Sequence, residues 1–526
     1  MPIDGEVQTG CTRKAMKPAT IAARFQKDGP ADATDEPDGG AGGVARPSLI
    51  CYLLILGTTF CFLVSVFSEP SAFTLPLLST SSATADRGPQ PVLAGQAAAS
   101  RSPTAALENR SVTEPAADRC RGRYIYMYDL PPRFNDDVAG GCSKLRPWMD
   151  MCPYMANSGL GQALGDEGGV FPGRGWYGTD QFMLDVIFRA RMQRYECLTG
   201  DASLAAAVFV PAYASLDGGR YLWNSTSTRD ALALDLVEWL ARRPEWRATG
   251  GRDHFFVAGR TTWDFRRKSD ADEEWGTKLL NLPAVANMTA LVLETSTPWN
   301  RTNLAVPYPT YFHPEAAADV RAWQDKVRAA RRRWLFSFAG APRPGSNKTS
   351  RAEIIRQCRA SSRCRLFHCT KSTGCEASPG RVMRAFESSS FCLQPRGDTL
   401  TRKSTFDAIL AGCIPVFFHP GSAHTQYTAH LPRDPRSYSV LIMHTDIAAG
   451  NVSIEETLRK IPPETVRAMR EEVIGLIPRV VYADPSSRLV DFKDAFDIAV
   501  DEVIHRVAKW RRAAAARDDD DAPVAG

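Results

Sequence analysis

The chain carries little excess of either charge: over 526 residues the net charge is +5, so composition offers no ground for a nucleic-acid partner, which asks for basic residues concentrated on one face or in one domain. It has no Gly-x-x-x-x-Gly-Lys phosphate loop and no Gly-x-Ser-x-Gly elbow, which takes away the sequence case for a P-loop NTPase or a serine hydrolase. No Cys-x-x-Cys pair occurs, so a zinc site built on His368 and its neighbouring cysteines lacks the usual spacing and no metal ligands are expected. No internal repeat is evident.

What is present begins with residues 48–67, twenty uncharged residues rich in Leu, Ile, Val, Phe and Cys. At about 1.5 Å per residue they can cross a hydrocarbon core of about 30 Å, and they predict one transmembrane helix. The preceding segment, 1–47, is too long and polar for a signal peptide and is read as a cytosolic tail. Asn109, Asn224, Asn287, Asn300, Asn347 and Asn451 each open an Asn-x-Ser/Thr triplet, six of ten asparagines against roughly one in eight from average Ser and Thr usage. All follow the span, which places the C-terminal body in the lumen. Ten of thirteen cysteines also lie there, an even number suited to an oxidising compartment, and the cluster from Cys358 to Cys375 is expected to staple a long loop. Residues 68–119, mostly Ala, Ser, Pro, Thr and Gly, read as a disordered stem, and 513–526 as a disordered, solvated tail.

Within the body, apolar runs at 124–128, 206–210, 255–258, 289–293, 334–339, 390–393, 414–418 and 439–442 predict strands, and helical stretches such as 180–195, 227–242, 315–333 and 455–475 separate them. This alternation predicts an α/β fold of parallel sheets with helices on both faces, divided near 330 into domains 120–330 and 331–512. A final helix near 488–512 carries Phe492, Phe496, Val503, Ile504 and Val507 on one face and should dock on the sheets.

The densest chemistry lies at 391–418, which reads as one βαβ unit. Its loop and first helical turn hold Arg396, Arg402, Lys403, Ser404 and Thr405, where a helix N-terminus already offers free N–H groups and partial positive charge, a setting that suits a diphosphate. The alternative is a well-capped helix, since Ser404-Thr405-Phe406-Asp407 also reads as a capping box. At the end of strand 334–339, Gly340 and Arg343 could admit a nucleotide and meet a phosphate, or form an ordinary turn. Trp176, Tyr177, Tyr221, Trp223, Trp263, Trp299, Tyr308 and Tyr311 offer flat faces for sugar rings, with core packing the commoner fate. Asp264, in the loop after 255–258, is either a base or a cap. Asp270-Ala271-Asp272 matches a metal-diphosphate pattern but follows Arg266-Arg267-Lys268-Ser269 instead of an apolar strand, and is read as a charged loop.

These residues resemble the plant exostosin-like glycosyltransferases of family 47, and within it the xyloglucan galactosyltransferases. The markers are Tyr-Ile-Tyr-Met-Tyr-Asp-Leu-Pro-Pro-Arg-Phe at 124–134, Phe-Val-Pro-Ala-Tyr at 209–213, residues 254–267, Pro-Tyr-Pro-Thr-Tyr-Phe-His-Pro at 307–314, and above all 391–432. The resemblance implies a GT-B architecture of two Rossmann-like doubly wound domains facing a cleft, the first binding acceptor and the second the sugar nucleotide. It implies a type II Golgi membrane protein that uses UDP-galactose as donor, without a permanently bound cofactor, and inverts the anomeric carbon on transfer to xylosyl side chains of a hemicellulose acceptor. Complexes with other glycosyltransferases are among the partners it admits. Arg396 would face the diphosphate and Asp407 the ribose. For the base, Asp264 leads, with Glu294 and His313 behind it. A related transferase with another UDP-sugar or hemicellulose acceptor and a non-catalytic glycan-binding scaffold stay as rival readings; a glycoside hydrolase would have little use for the basic loop.

Overall fold

The computed structural model describes residues 118–295, 302–342, 349–369, 375, 378–487 and 489–520, which all belong to one compact unit. The predicted tail, span and stem at 1–117 lie outside the described residues, as do Arg343, Trp299, Asn109, Asn300 and Asn347. Among the described residues no helix is long and apolar enough to cross a membrane.

Two all-parallel sheets form the frame. The first contains β1 (Ile125–Met127), β2 (Leu198–Thr199), β3 (Ala207–Val210), β4 (His254–Thr261), β5 (Thr289–Glu294) and β6 (Asn303–Ala305), in the order β2-β1-β3-β4-β5-β6. The second contains β7 (Trp334–Gly340), β8 (Cys364–His368), β9 (Ser389–Gln394), β10 (Ile414–Phe417) and β11 (Val440–Leu441), in the order β11-β10-β9-β7-β8. The winding is the same in both. The opening strand sits between the second and third, so strand order reverses at β1/β3 in one sheet and at β7/β9 in the other, the places where ligands settle beyond the strand ends in open α/β sheets.

The helices that matter to the site are α1 (Leu184–Met192), α2 (Ala214–Arg220), α3 (Thr226–Ala241), α4 (Ala317–Ala329), α5 (Ser350–Ala360), α6 (Pro379–Glu387), α7 (Lys403–Leu410), α8 (Pro463–Gly475) and α9 (Ala495–Asp520). Every residue of β4 is buried, and its period of two sends Phe255 and Val257 into one apolar cluster and Phe256 and Ala258 into another across the sheet. That is why this strand reads as a continuous apolar run instead of an alternating one.

Several expectations are corrected. The segment from Cys358 to Cys375 is not one stapled loop: it contains the end of α5 and the edge strand β8, with disulfides Cys358–Cys364 before that strand and Cys369–Cys375 after it. Only Cys364 and Phe367 of the five strand residues are buried, so the apolar signal of this edge is thin. All ten body cysteines are paired, the others as Cys120–Cys197, Cys142–Cys152 and Cys392–Cys413. The last helix begins at Ala495 and runs on to Asp520, through the four alanines at 513–516 that were assigned to the tail, because alanine is the best helix former. It also crosses back to the first sheet. Phe496 packs on Phe188 of α1 with ring centroids 4.6 Å apart, Arg511 donates to the Ala205 carbonyl, and Arg506 donates to the Asn303 carbonyl.

Candidate active site

At the switch point of the second sheet, β9 ends in Gln394 and the chain loops through Arg396 into α7. The helix is anchored by Phe406, Ile409 and Leu410, all fully buried, the spacing that set its direction from sequence. Its capping box does not form. Arg402 is the N-cap without a side-chain cap bond, the Ser404 hydroxyl donates instead to Gln394 Oε1 at 2.6 Å, and Asp407 takes Lys403 Nζ at 2.9 Å. No acidic or hydroxyl side chain therefore caps the first turn, which keeps its positive end for an incoming anion. The Gln394 Nε2 group is buried there without a partner.

Three cations stand in this loop and the first helical turn, each in a different setting. Arg402 spans the crevice, its guanidinium donating to Ser404 Oγ at 3.1 Å, the Pro395 carbonyl at 3.3 Å and the Ala339 carbonyl of β7 at 3.5 Å. Arg396 is exposed and has no ion pair or hydrogen bond among the described residues. Lys403 lies 3.3 Å from the centroid of the Tyr311 ring and pairs with buried Asp407, whose carboxyl is pushed up by burial against the opposing pull of that lysine. Thr405, in the same first turn, is buried. Gly340 ends β7, and a Cβ there would meet the Phe338 ring at 2.5 Å, so glycine is required by packing of that ring.

The first sheet meets this loop end-on. Glu294, the last residue of β5, accepts the Leu400 and Thr401 N–H groups at 3.3 and 2.8 Å and the Thr401 hydroxyl at 2.6 Å. Tyr427 donates to the Leu293 carbonyl at 2.7 Å, and Thr295 N–H donates to Gln426 Oε1 at 2.8 Å. The C-terminal ends of the two sheets thus face one another, with Glu294 as a latch on the basic loop. Hydrogen bonds to a charged group contribute about 1.5–3 kcal/mol each, so Glu294→Ala should lower the urea-unfolding free energy by at least about 2 kcal/mol and make 395–402 the first segment cut in limited proteolysis. An unchanged cleavage pattern and midpoint would show that the latch is inconsequential.

Asp264 follows β4 in a short 3-10 turn and is buried. Its Oδ2 accepts from Arg260 at 3.0 Å and its Oδ1 from the Trp275 indole at 2.7 Å, which fixes the carboxylate while leaving each oxygen a second lone pair. Trp263 beside it is 46 % exposed. His313 has no exposed surface; Nδ1 lies 2.7 Å from the Tyr482 carbonyl and Nε2 2.8 Å from the Thr179 hydroxyl, and burial pushes its pKa down to about 4, so the ring is neutral and its Nδ1–H donates to the carbonyl. Asp270 pairs with Arg267 and Lys278, while Asp272 accepts the Thr226 N–H at 2.6 Å, structural roles that agree with a charged loop. Of the aromatic candidates, Trp176, Tyr308 and Tyr311 are core residues. Gln394 and the Glu294–Thr401 contact were missed from sequence; a polar residue closing the buried strand Phe391–Cys392–Leu393 was the available signal for the first.

The Exostosin GT47 domain model matches residues 119–458, which takes in both sheets, the basic loop and α7. The chain belongs to the exostosin GT47 family. Among curated proteins of the family, the Arabidopsis thaliana xyloglucan galactosyltransferase MUR3 is 54% identical over 75% of this chain and 64% of its own length. The Arabidopsis probable xyloglucan galactosyltransferase GT12 is 48% identical over 77% of this chain and 81% of its own length. An Arabidopsis xyloglucan-specific galacturonosyltransferase is 40% identical over 74% of this chain and 58% of its own. This exostosin GT47 chain therefore spans less than two thirds of MUR3 and about four fifths of GT12. The marker stretches at 124–134, 209–213, 254–267, 307–314 and 391–432 all fall inside the matched region.

Proposed function

We propose that the protein is an inverting GT-B glycosyltransferase that moves galactose from UDP-galactose to a xylosyl side chain of xyloglucan. The observation that carries this reading is the N-terminus of α7, without a side-chain cap, at the β7/β9 switch point, with Arg402 as its N-cap residue and Arg396 in the loop that leads to it, in a GT47 chain. In it the pyrophosphate of UDP sits on the helix end against Arg396 and Arg402, and Asp407, its charge held by Lys403, takes the ribose hydroxyls. The first sheet presents the acceptor. An acceptor hydroxyl oxygen forms the new bond to C1 of galactose from the face opposite UDP, the C1–O bond to UDP breaks with its electron pair, and the hydroxyl proton passes to Asp264. The arginines and helix end stabilise the charge that develops on UDP. Glu294 and His313, bound on every side, position the loop and the 307–314 segment around it.

The same reading places the body in the Golgi lumen on a type II anchor at 48–67. It is supported by the exposed sequons Asn224, Asn287 and Asn451 and by the complete pairing of the body cysteines. The deciding assay offers the detergent-solubilised chain UDP-galactose, UDP-galacturonic acid and UDP-glucose with xylosylated glucan oligosaccharides, with and without chelator. Galactosyl product, retained in chelator because cationic side chains neutralise the diphosphate, is expected. Galacturonosyl product would move the donor to that of the 40%-identical relative. Binding of oligosaccharide without any transfer would make the protein a scaffold.

A further inference from the structure

The first sheet has its own switch point, at β1/β3, which the donor site does not use. Beyond the ends of these strands, Phe134, Ala212 and Tyr213 line a narrow apolar recess that shares Asp217 and Leu232 with a cavity of about 260 Å³. Asp217, Arg220, Tyr221, Thr228, Leu232 and Asp235 line that cavity, between α2 and α3. It has room for a ligand ring, since a single water needs only about 10–15 Å³ on the same measure. The Arg133–Asp235 ion pair at 2.5 Å ties the loop after β1 to α3 and closes one side.

Asp217 is the anomaly. It is 7 % exposed and forms an ion pair with Arg220, Nη2 to the enclosed Oδ1 at 3.5 Å, yet among the described residues no donor hydrogen-bonds its carboxylate. A buried carboxylate without donors carries a desolvation cost that structures normally offset with hydrogen bonds. Burial pushes this carboxyl up to about 6. The Arg220 Nε–H is likewise enclosed without a partner, and its guanidinium stacks 4.3 Å from the Tyr221 ring centroid.

We propose that this cavity is an acceptor subsite that takes a neutral pyranose ring of the glycan, with the Asp217 carboxylate accepting the ring's hydroxyls. The assignment rests on the transferase reading above and adds where its acceptor is held. A phosphate or nucleotide is disfavoured because the cations at hand, Arg220 and Arg133, are already set against the Asp217 and Asp235 carboxylates. A divalent cation would need more oxygen ligands, and among the described residues no group of three metal-ligating side chains assembles. A sugar hydroxyl supplies the hydrogen-bond donor that Asp217 lacks, Arg220 and Thr228 can donate to ring oxygens, and Leu232 can meet the apolar side of the ring.

Two variants test this in the full solubilised chain. Asp217→Asn removes the charge, and Ala231→Trp, at an exposed α3 position on the cavity, fills it without disturbing the core. Both should raise the KM for a xylosylated glucan oligosaccharide by about tenfold or more, the scale of a lost charge-assisted hydrogen bond, with UDP affinity unchanged. Unchanged acceptor KM in the folded Ala231→Trp protein overturns the proposal while the transferase reading stands. Should the wild type transfer nothing, saturation-transfer NMR with the same oligosaccharide decides the subsite separately: signal lost in both variants supports it, and equal signal in all three proteins overturns it.

Discussion

Asp264→Asn should cut turnover by about a hundredfold or more with little change in UDP affinity, the range that general bases contribute. Asp264 follows β4 of the first sheet, and its two oxygens are held by Arg260 and Trp275, so the carboxylate has a fixed orientation. Asparagine keeps the size and one acceptor oxygen but sets an amide N–H₂ against a donor, so a modest loss of thermal stability accompanies the kinetic effect. Folding and UDP binding separate the two. Loss of a base lowers kcat in a folded, UDP-binding protein, whereas a structural defect lowers the folded fraction and UDP binding with it. A folded Asp264→Asn protein with near-normal turnover would return this residue to bracing the 262–277 turn.

Arg396→Ala should weaken UDP binding by about ten- to a hundredfold, the equivalent of one charge-assisted phosphate contact. Because Arg396 is exposed and has no bond among the described residues, its removal should leave the unfolding midpoint where it is. Arg402→Ala should differ. That side chain also braces the Pro395 and Ala339 carbonyls and the Ser404 hydroxyl, so stability and UDP affinity should fall together. Calorimetric titration with UDP beside thermal melts of both variants reads the contrast, and unchanged UDP affinity in Arg396→Ala would move the diphosphate elsewhere.

Legibility of the fold followed burial. β3, β4, β5, β7, β9 and β10 could be located to within a residue or a few from sequence, because parallel strands covered on both faces are unbroken apolar runs. β1 and β11 are as short as β2 and β6 but sit inside the longer runs 124–128 and 439–442, which β2 and β6 lack, and β8 was hidden because an edge strand flanked by two disulfides buries little. At the site, Arg396, Arg402 and Lys403 were legible because cations gathered before a helix start need no partner to be noticed. The alternative of a capping box fails because Ser404 and Asp407 meet other local partners in Gln394 and Lys403.

By itself the sequence determined the alternation of strand and helix, the basic loop and the family, since these depend on the period of apolar residues and on side-chain types within a few tens of positions. Tertiary structure alone decided which ends meet. Glu294 lies 107 residues from Thr401, and no local pattern marks their contact. The same holds for the return of α9 to the first sheet. It holds too for Asp217, which in sequence is one more helical aspartate and becomes distinctive only when two helices and two strand ends bury it without a hydrogen-bond donor. Burial and pairing are properties of the packed chain, and they turn a residue type into a site.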